Sequence, residues 1–410
     1  MEASHEPMTL WLIIHKSLRH HAFSTALTAF SIALAGGLLM SVWVVREQSH
    51  AAFTGMSGGF DAVLGARSAK LQLVLNAIFH LEESPGNLAW QDFLEMQKNP
   101  NVELSVPIAM GDNYRGYRLV GTTLEFFTKA EYAPGKSCTP RGPGRIFDPA
   151  AREAVVGSLV AQKLGLKRGD LIHPFHGLLF DEEKEHAETY LVVGVLEPTN
   201  TPADRVIWIP LEGLQKMSGH DPAAATDISA VLIKLKAGSA IAGQRLSLLY
   251  NKEGNRLTFA WPIGQIMAQL FGKIAWFDQV LELVAYLIAL VATGSILASL
   301  YNSMNERRRE IAILRALGAH RRTVFSAIIL EAATIAALGM GIGFGVYAVI
   351  LTAVASIVRA QTGIVLNALT FHAVMLWAPL GLIGLSALSG IVPAAKAYRT
   401  DVAENLAPIS

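Results

Sequence analysis

One cysteine, Cys138, is all the chain has, so no intrachain disulfide can staple any part of it. Charge is nearly as scarce. Only 16% of the 410 residues are Asp, Glu, Lys or Arg, and mean hydropathy is +0.37, too apolar for an ordinary soluble protein of this length. A net charge of +1 leaves no basic footprint of the kind nucleic acid requires. There is no internal repeat and no low-complexity tract, which sets aside solenoids. No His-Glu-x-x-His occurs anywhere, so the helical zinc-protease motif is absent.

What the chain does have is four long apolar runs. Ala22 to Val45 carries no charge, and at 1.5 Å per residue it reaches about 36 Å, enough to cross a hydrocarbon core of about 30 Å. Leu283 to Tyr301 is a second uncharged run, and Ala373 to Ala395 is another. Thr323 to Val358, between them, is broken only by Glu331. The expected order is an amphipathic helix over 1–21, spans over 22–45, 279–303, 323–358 and 372–395, a basic segment over 304–322, a short loop over 359–371 and a tail over 396–410. Residues 46–278 form an external domain. The fold class is thus an α-helical membrane protein with four transmembrane helices plus a large α+β extracytoplasmic domain of two subdomains.

The flanks orient it. Lys16 and Arg19 precede the first span, Lys396 and Arg399 follow the fourth, and the loop between spans three and four has one basic residue, Arg359. Both termini are expected in the cytoplasm. The first apolar run is much longer than the roughly 7–15 residues of a signal peptide, and no small-x-small site closes it convincingly. Cys138, in the external domain, is expected to be reached by thiol reagents from outside.

Within that domain, Asp61–Ala66, Leu71–Phe79, Val102–Ala109, Tyr117–Gly121, Ala230–Leu235 and Leu257–Trp261 read as extended, and Ser239–Tyr250 as helical. A further helix is expected from Asn87, with Asn87 as its cap. The two ends of the domain would build one α+β subdomain, with a β-rich lobe inserted at about 115–225. Gly264–Gln279 reads as a helical stalk, and Pro134–Arg145 as a loop or hairpin tip.

Several constellations suggest chemistry and fail on context. Ala130-Glu-Tyr-Ala-Pro-Gly-Lys-Ser137 approaches a P-loop, but Pro140, Gly142, Pro143 and Gly144 forbid the helix that must follow. Gly55-Met-Ser-Gly-Gly59 has nucleophile-elbow spacing in the wrong setting, just past a span. His173-Pro-Phe-His176, with His186 nearby, has loose metal spacing and reads as ordinary loop chemistry, so no metal is expected. Glu331 is an ionisable group within a span, either functional or paired at the interface. Gly339, Gly341, Gly343 and Gly345 make two overlapping Gly-x-x-x-Gly patterns that let helices approach closely, within a subunit or across a dimer. Met8–Arg19 is an amphipathic stretch with Trp11 as an interfacial anchor.

The most informative segment is Asn305-Glu-Arg-Arg-Arg-Glu-Ile-Ala-Ile-Leu-Arg-Ala-Leu-Gly-Ala-His-Arg-Arg322. Its six arginines against two glutamates hold it in the cytoplasm. Topology alone requires only charge. This segment also puts Ile311, Leu314 and Leu317 on one helical face, with Arg308, Glu310 and Arg315 around it and Gly318 as the C-cap. Such a face suits a docking partner.

That segment, with Glu331-Ala332 and the glycine-rich span, resembles the signature of FtsX/MacB-like ABC permeases. The ending Pro393-Ala-Ala-Lys-Ala-Tyr-Arg-Thr-Asp401 is similar to that family's tail, and Ser24-Thr-Ala-Leu-Thr28 to its entry into the first span. Glu153–Asp170, Val192–Leu196 and Val206–Leu211 are similar to segments of its periplasmic core. The resemblance implies a non-catalytic permease subunit in a bacterial inner membrane, paired with a second permease in a homodimer or heterodimer. A separate ABC ATPase would hold the ATP and Mg, so this chain would bind no cofactor. Glu306, Arg307, Arg308, Glu310, Arg315 and Gly318 would dock the ATPase. The stroke would move a lipoprotein, lipid, peptide or drug outside the membrane, with a periplasmic adaptor or lipoprotein carrier as a further possible partner. Two rivals differ in class. One is an FtsX-like scaffold that activates a cell-wall hydrolase, and the other a sensor with no ATPase, which leaves the helical face unexplained.

Overall fold

The computed structural model describes residues 10–178, 180–220, 222–306, 313, 320–367 and 370–398. The chain divides into two compact units: a helical unit of residues 1–48, 275–354 and 367–410, and a sheet unit of 49–274 and 355–366.

Among the described residues, four helices are long and apolar enough to cross a membrane: Ala22–Gly55, Ile263–Ala298, Arg321–Thr362 and Val374–Ala395. In hydrocarbon the backbone must satisfy its own polar groups, which a continuous helix does. Side-chain hydroxyls do likewise: Thr28, Ser41, Thr293 and Ser386 each donate to the carbonyl four residues back, at 2.6–2.8 Å. The first helix supplies the buried centre. Ala29, Ile32, Ala35, Leu39 and Met40 pack with Ala285, Ala289 and Ala292 of the second, Ala332, Ala336 and Met340 of the third and Val374, Ala378 and Leu382 of the fourth. Leu287, Leu290, Val291, Leu338, Ile342, Val349, Leu376 and Leu380 face outward. The helices overrun the apolar runs: the first continues to Gly55, and the expected stalk is the start of one helix, Ile263–Glu306. The fourth stops at Ser389, and a short helix, Ile391–Tyr398, follows Gly390.

The sheet unit holds, among the described residues, ten strands in one sheet. They are β1 (Ala62–Ala66), β2 (Val102–Tyr114), β3 (Tyr117–Thr122), β4 (Glu153–Val156), β5 (Leu171–Ile172), β6 (Phe175–His176), β7 (Tyr190–Val195), β8 (Ile207–Pro210), β9 (Ala230–Leu235) and β10 (Leu257–Ala260). The order is β10-β1-β9-β2-β3-β8-β4-β7-β5, with β6 added to β2. The end-built part, β10-β1-β9-β2, and the middle part, β3-β8-β4-β7-β5, therefore share a single sheet. The β2–β3 hairpin joins them, through Arg115 and Gly116 at φ 50° and 83°. Pairing is antiparallel except for β3 with β8 and β4 with β7. Both faces are covered. Phe60, Val106, Phe126, Trp208 and Leu232 fill one core, and Leu64, Leu119, Tyr190, Ile207, Val231 and Ile233 the other. A strand buried on both faces reads as a continuous apolar run, as Ala-Val-Leu-Ile does at 230–233.

Two expectations are corrected. Leu71–Phe79 is not a strand; Lys70–Ala77 is a helix that buries Leu73, Val74 and Ala77 on one side. Both edges of β1 are already taken by β9 and β10, so the segment covers a face of the sheet instead of joining it. The next helix starts at Trp90, not at Asn87. Leu88 pairs with Ile228 as an extended bridge, and the Asp92 carboxylate accepts from the Ala89 amide at 3.1 Å, capping the helix from inside its first turn.

Candidate functional site

Arg307, Arg308, Glu310, Arg315 and Gly318 lie outside the described residues, and Glu306 is the last residue of the second-span helix. The third-span helix begins at Arg321.

Other residues singled out in the spans are placed. Glu331 is buried, and the Ser17 hydroxyl of the entry helix Leu10–His20 donates to its Oε1. That contact ties the amphipathic helix to the third span across 314 residues of sequence. The glycine quartet splits in two. A Cβ on Gly339 would meet the Ala29 carbonyl at 2.7 Å, and one on Gly343 the Ala33 carbonyl at 3.2 Å. Gly341 and Gly345 have nothing within 4 Å and are exposed. Close approach is thus served by Gly339 against Ala29 and Ile32, and by Gly343 against Ala33 and Gly37 of the first span. A Cβ on Gly37 would lie 2.7 Å from Val346 and 2.9 Å from the Gly343 carbonyl.

At one end of the first span, a polar network holds the loop before the fourth. Gln48 Nε2 donates to the Asn367 carbonyl at 2.8 Å, its Oε1 accepts from the Asn367 amide at 2.7 Å, and His372 lies 2.9 Å from the Glu47 carboxylate.

In the sheet unit the near-motifs resolve as structure. Tyr132 and Lys136 close a tight turn, amide to carbonyl at 3.0 Å, so the P-loop-like segment is a hairpin tip. Ser57 lies between a helix and β1, outside any strand–turn–helix elbow. Cys138 is buried, and burial pushes its thiol up to about 12, so labelling of the native chain at this position is not expected, contrary to the sequence reading. A cleft of about 580 Å³ lined by Trp90, Thr122, Phe147, Pro210 and Gln215 has Lys216 and Glu212 paired with each other at 2.6 Å, and its third charge, Glu125, lies 4.0 Å from Lys129.

The histidines are rearranged most. His173 stays apart, 3.6 Å from Glu185 and 3.3 Å from Thr189. His176 and His186 instead converge on Asp112, joined by His220. Asp112 is fully buried in β2, next to a register shift between Met110 and Asn113, and sits directly across from His176 of β6. A bulge re-aims side chains in this way. Asn113 holds β6 in place by donating to the Gly177 carbonyl at 2.9 Å. His186 enters from the segment before β7, its amide donating to Pro174 at 2.9 Å. His220 follows the helix Leu211–Gln215, and the Asp112 carboxylate raises its pKa above the ordinary histidine value. Asp112 and His220 were invisible to local spacing, since 108 residues separate them.

Four apolar helices of spanning length and a large mixed sheet define a polytopic membrane protein with a substantial extramembrane domain. A model described as MacB-like periplasmic core domain matches residues 25–243, and one described as FtsX-like permease C-terminal matches residues 282–402. The chain belongs to the MacB/FtsX-like ABC permease family. Among solved structures it is similar to the periplasmic region of MacB from Actinobacillus actinomycetemcomitans, at 13% identity, over 53% of this chain and 94% of that one, with a TM-score of 0.35. It is similar also to the extracellular domain of the noncanonic ABC-type transporter YknZ from Gram-positive bacteria, at 17% identity, over 49% and 98%, with a TM-score of 0.30. No curated protein matches the chain.

Proposed function

We propose that this chain is the permease subunit of a mechanotransmission ABC transporter, set in a bacterial cytoplasmic membrane with both termini inside. A separate ATPase drives it, with a second permease subunit completing the assembly. The observation that carries the reading is the segment 305–322, which lies between two apolar helices and within the FtsX-like permease match. Its six arginines resist translocation, and Ile311, Leu314 and Leu317 share a helical face that a cytosolic subunit can push on. Glu306, Arg307, Arg308, Glu310 and Arg315 surround that face, and Gly318 ends it.

ATP and Mg belong to the partner, so this chain performs no bond chemistry. It converts dimerisation of the ATPase into movement of the sheet unit, which handles a lipophilic substrate (a lipoprotein, lipid, peptide or drug) on the outer side.

The test is the paired change Arg315→Glu and Gly318→Pro in the full chain, reconstituted with the ATPase that co-purifies with it. Proline ends the helix that the glycine caps, and the charge reversal removes a docking contact. Transport-linked ATPase activity is expected to fall about tenfold or more, equivalent to ~1.4 kcal/mol of docking free energy. The four-span protein should still insert. Undiminished coupling in this variant would refute the assignment.

A further inference from the structure

We infer that Asp112, His176, His186 and His220 form a binding site for one divalent transition-metal ion, with Zn²⁺ the best fit. Asp112 Oδ1 lies 3.3 Å from His176 Nδ1, 3.2 Å from His186 Nε2 and 3.3 Å from His220 Nε2. Four donors around a zinc ion with bonds of about 2.0–2.1 Å sit roughly 3.3–3.4 Å apart, the edge of the tetrahedron. These three of the six edges match, all four donor atoms lie within 4.8 Å of one another, and His220 Nε2 is also 3.2 Å from Asp112 Oδ2. The distances exceed the usual N–H···O separation of about 2.9–3.0 Å. The imidazoles surround the carboxylate, with ring centroids 5.2–5.5 Å from one another.

Hydrogen bonds behind the cluster set its chemistry. His186 Nδ1 lies 2.6 Å from the Ser218 carbonyl, and His220 Nδ1 lies 3.0 Å from the Leu214 carbonyl. A carbonyl oxygen only accepts, so each Nδ1 carries a proton and each Nε2 faces the Asp112 carboxylate. Either a proton or a metal cation must lie between each of these nitrogens and the carboxylate, and one ion at the centre would replace both protons. Such backing of each ligating imidazole by a backbone acceptor is the usual outer shell of a metal-bound histidine. The shell extends one layer further. Glu188 accepts from the Ser218 amide at 3.0 Å and from its hydroxyl at 2.8 Å, fixing the carbonyl that orients His186.

The donor set selects the ion. Imidazole suits zinc, copper, nickel and cobalt, whereas calcium and magnesium require oxygen ligands. Four protein ligands fill a tetrahedral zinc site, which fits a structural or sensing role and leaves no open position for hydrolysis. His176 is about half exposed, at 53%, so the ion enters from solvent. Once bound it ties β6 and the segments bearing His186 and His220 to β2.

The experiment uses the full chain in mild detergent, with any affinity tag removed. The protein is stripped with chelator, given ZnCl₂, desalted and analysed for bound metal. One zinc per chain is expected, and Co²⁺ in its place should give the visible absorption of a tetrahedral site. His176→Ala, at an exposed side chain that the fold does not need, and His220→Ala should each weaken zinc binding by more than about 100-fold, beyond the 10–100-fold typical of an outer-shell partner. His173→Ala, three residues before His176 and outside the cluster, should bind as the parent does. Circular dichroism of the variants verifies that they remain folded. Substoichiometric zinc in the parent, or zinc retained by folded His176→Ala and His220→Ala proteins, overturns the site. Because no ATPase enters the assay, its result is independent of the permease reading.

Discussion

The two units differ in what they leave outside. In the helical unit Ala33, Ala35, Ala285, Ala332 and Ala336 are fully buried beside Ile32, Met40 and Leu351, while Leu290, Val349 and Leu380 are more than 60% exposed. In the sheet unit the largest side chains are inside: Trp208, Tyr190, Phe60, Phe79 and Phe259 are at most 1% exposed. The difference reflects the solvent each unit meets. Lipid is as apolar as leucine, so helices gain nothing by hiding leucine from it and gain by approaching closely through alanine and glycine. Water is not, and each square ångström of apolar surface removed from it stabilises by roughly 25 cal/mol. Side-chain size against burial therefore identifies the medium of each unit more directly than mean hydropathy does.

The largest expected effect breaks the comparison if it fails. Trp208 stacks on Phe126 at 4.2 Å between ring centroids and is 1% exposed, so Trp208→Ala should destabilise the sheet unit by about 3–5 kcal/mol. Leu290→Ala, at a side chain 67% exposed on the second span, should change stability by less than about 0.5 kcal/mol. Pulse proteolysis of the full chain in detergent checks both. A smaller effect sharpens the contrast inside the helical unit. Gly37→Leu forces a side chain against Val346 and the Gly343 carbonyl and should cost about 1–3 kcal/mol in SDS titration of the bundle. Gly341→Leu, with open space around it, should be near neutral. Equal costs at the two glycines would mean that close packing at Gly37 does not set it apart from the open site at Gly341.

Legibility in the sequence followed the range of the interactions. The spans were readable because a helix in lipid needs only its own apolar length. The Ala230–Leu235 strand was readable because its apolar run is local. Leu71–Phe79 was misread because Leu-Gln-Leu-Val-Leu alternates like a strand, and what decides against one is that both edges of β1 are occupied from residues far along the chain. The glycine quartet could be recognised but not apportioned. Positions two apart on a helix point about 200° from each other, so one pair had to face outward, and only the docked first span shows which. Ser17 beneath Glu331, and His220 beside Asp112, depend on contacts across 314 and 108 residues. No window finds those. The histidines themselves were in plain view, and a count of His and Asp flanking a bulged strand was the one available hint.

A pH-dependent effect asks whether burial of polar groups separates the units as burial of size does. His80 ends the helix Lys70–Ala77 at φ 54°, its amide donating to the Asn76 carbonyl at 3.1 Å, and its ring meets the edge of Trp208 at 5.8 Å. Burial first, and then the nearby Arg118 and Arg205, lower its pKa from 6.5 to about 3. Between those values the unfolded chain holds a proton that the folded chain does not. Stability is therefore complete above pH 6.5 and falls as pH drops, by up to about 1.4 kcal/mol per pH unit. His220 has the opposite shift and acts elsewhere: its stabilisation is present below 6.5 and lost as pH rises through its raised value. Buried Asp204, also raised, opposes His80 from about 3.8 upward, so the difference between two proteins is the quantity to read. His80→Asn accepts the left-handed backbone and does not titrate. From pH 6.5 to 4.5 the parent's resistance to pulse proteolysis in the sheet unit should decline more steeply than the variant's. Parallel profiles would show that the sheet unit buries this imidazole without a proton-linked cost.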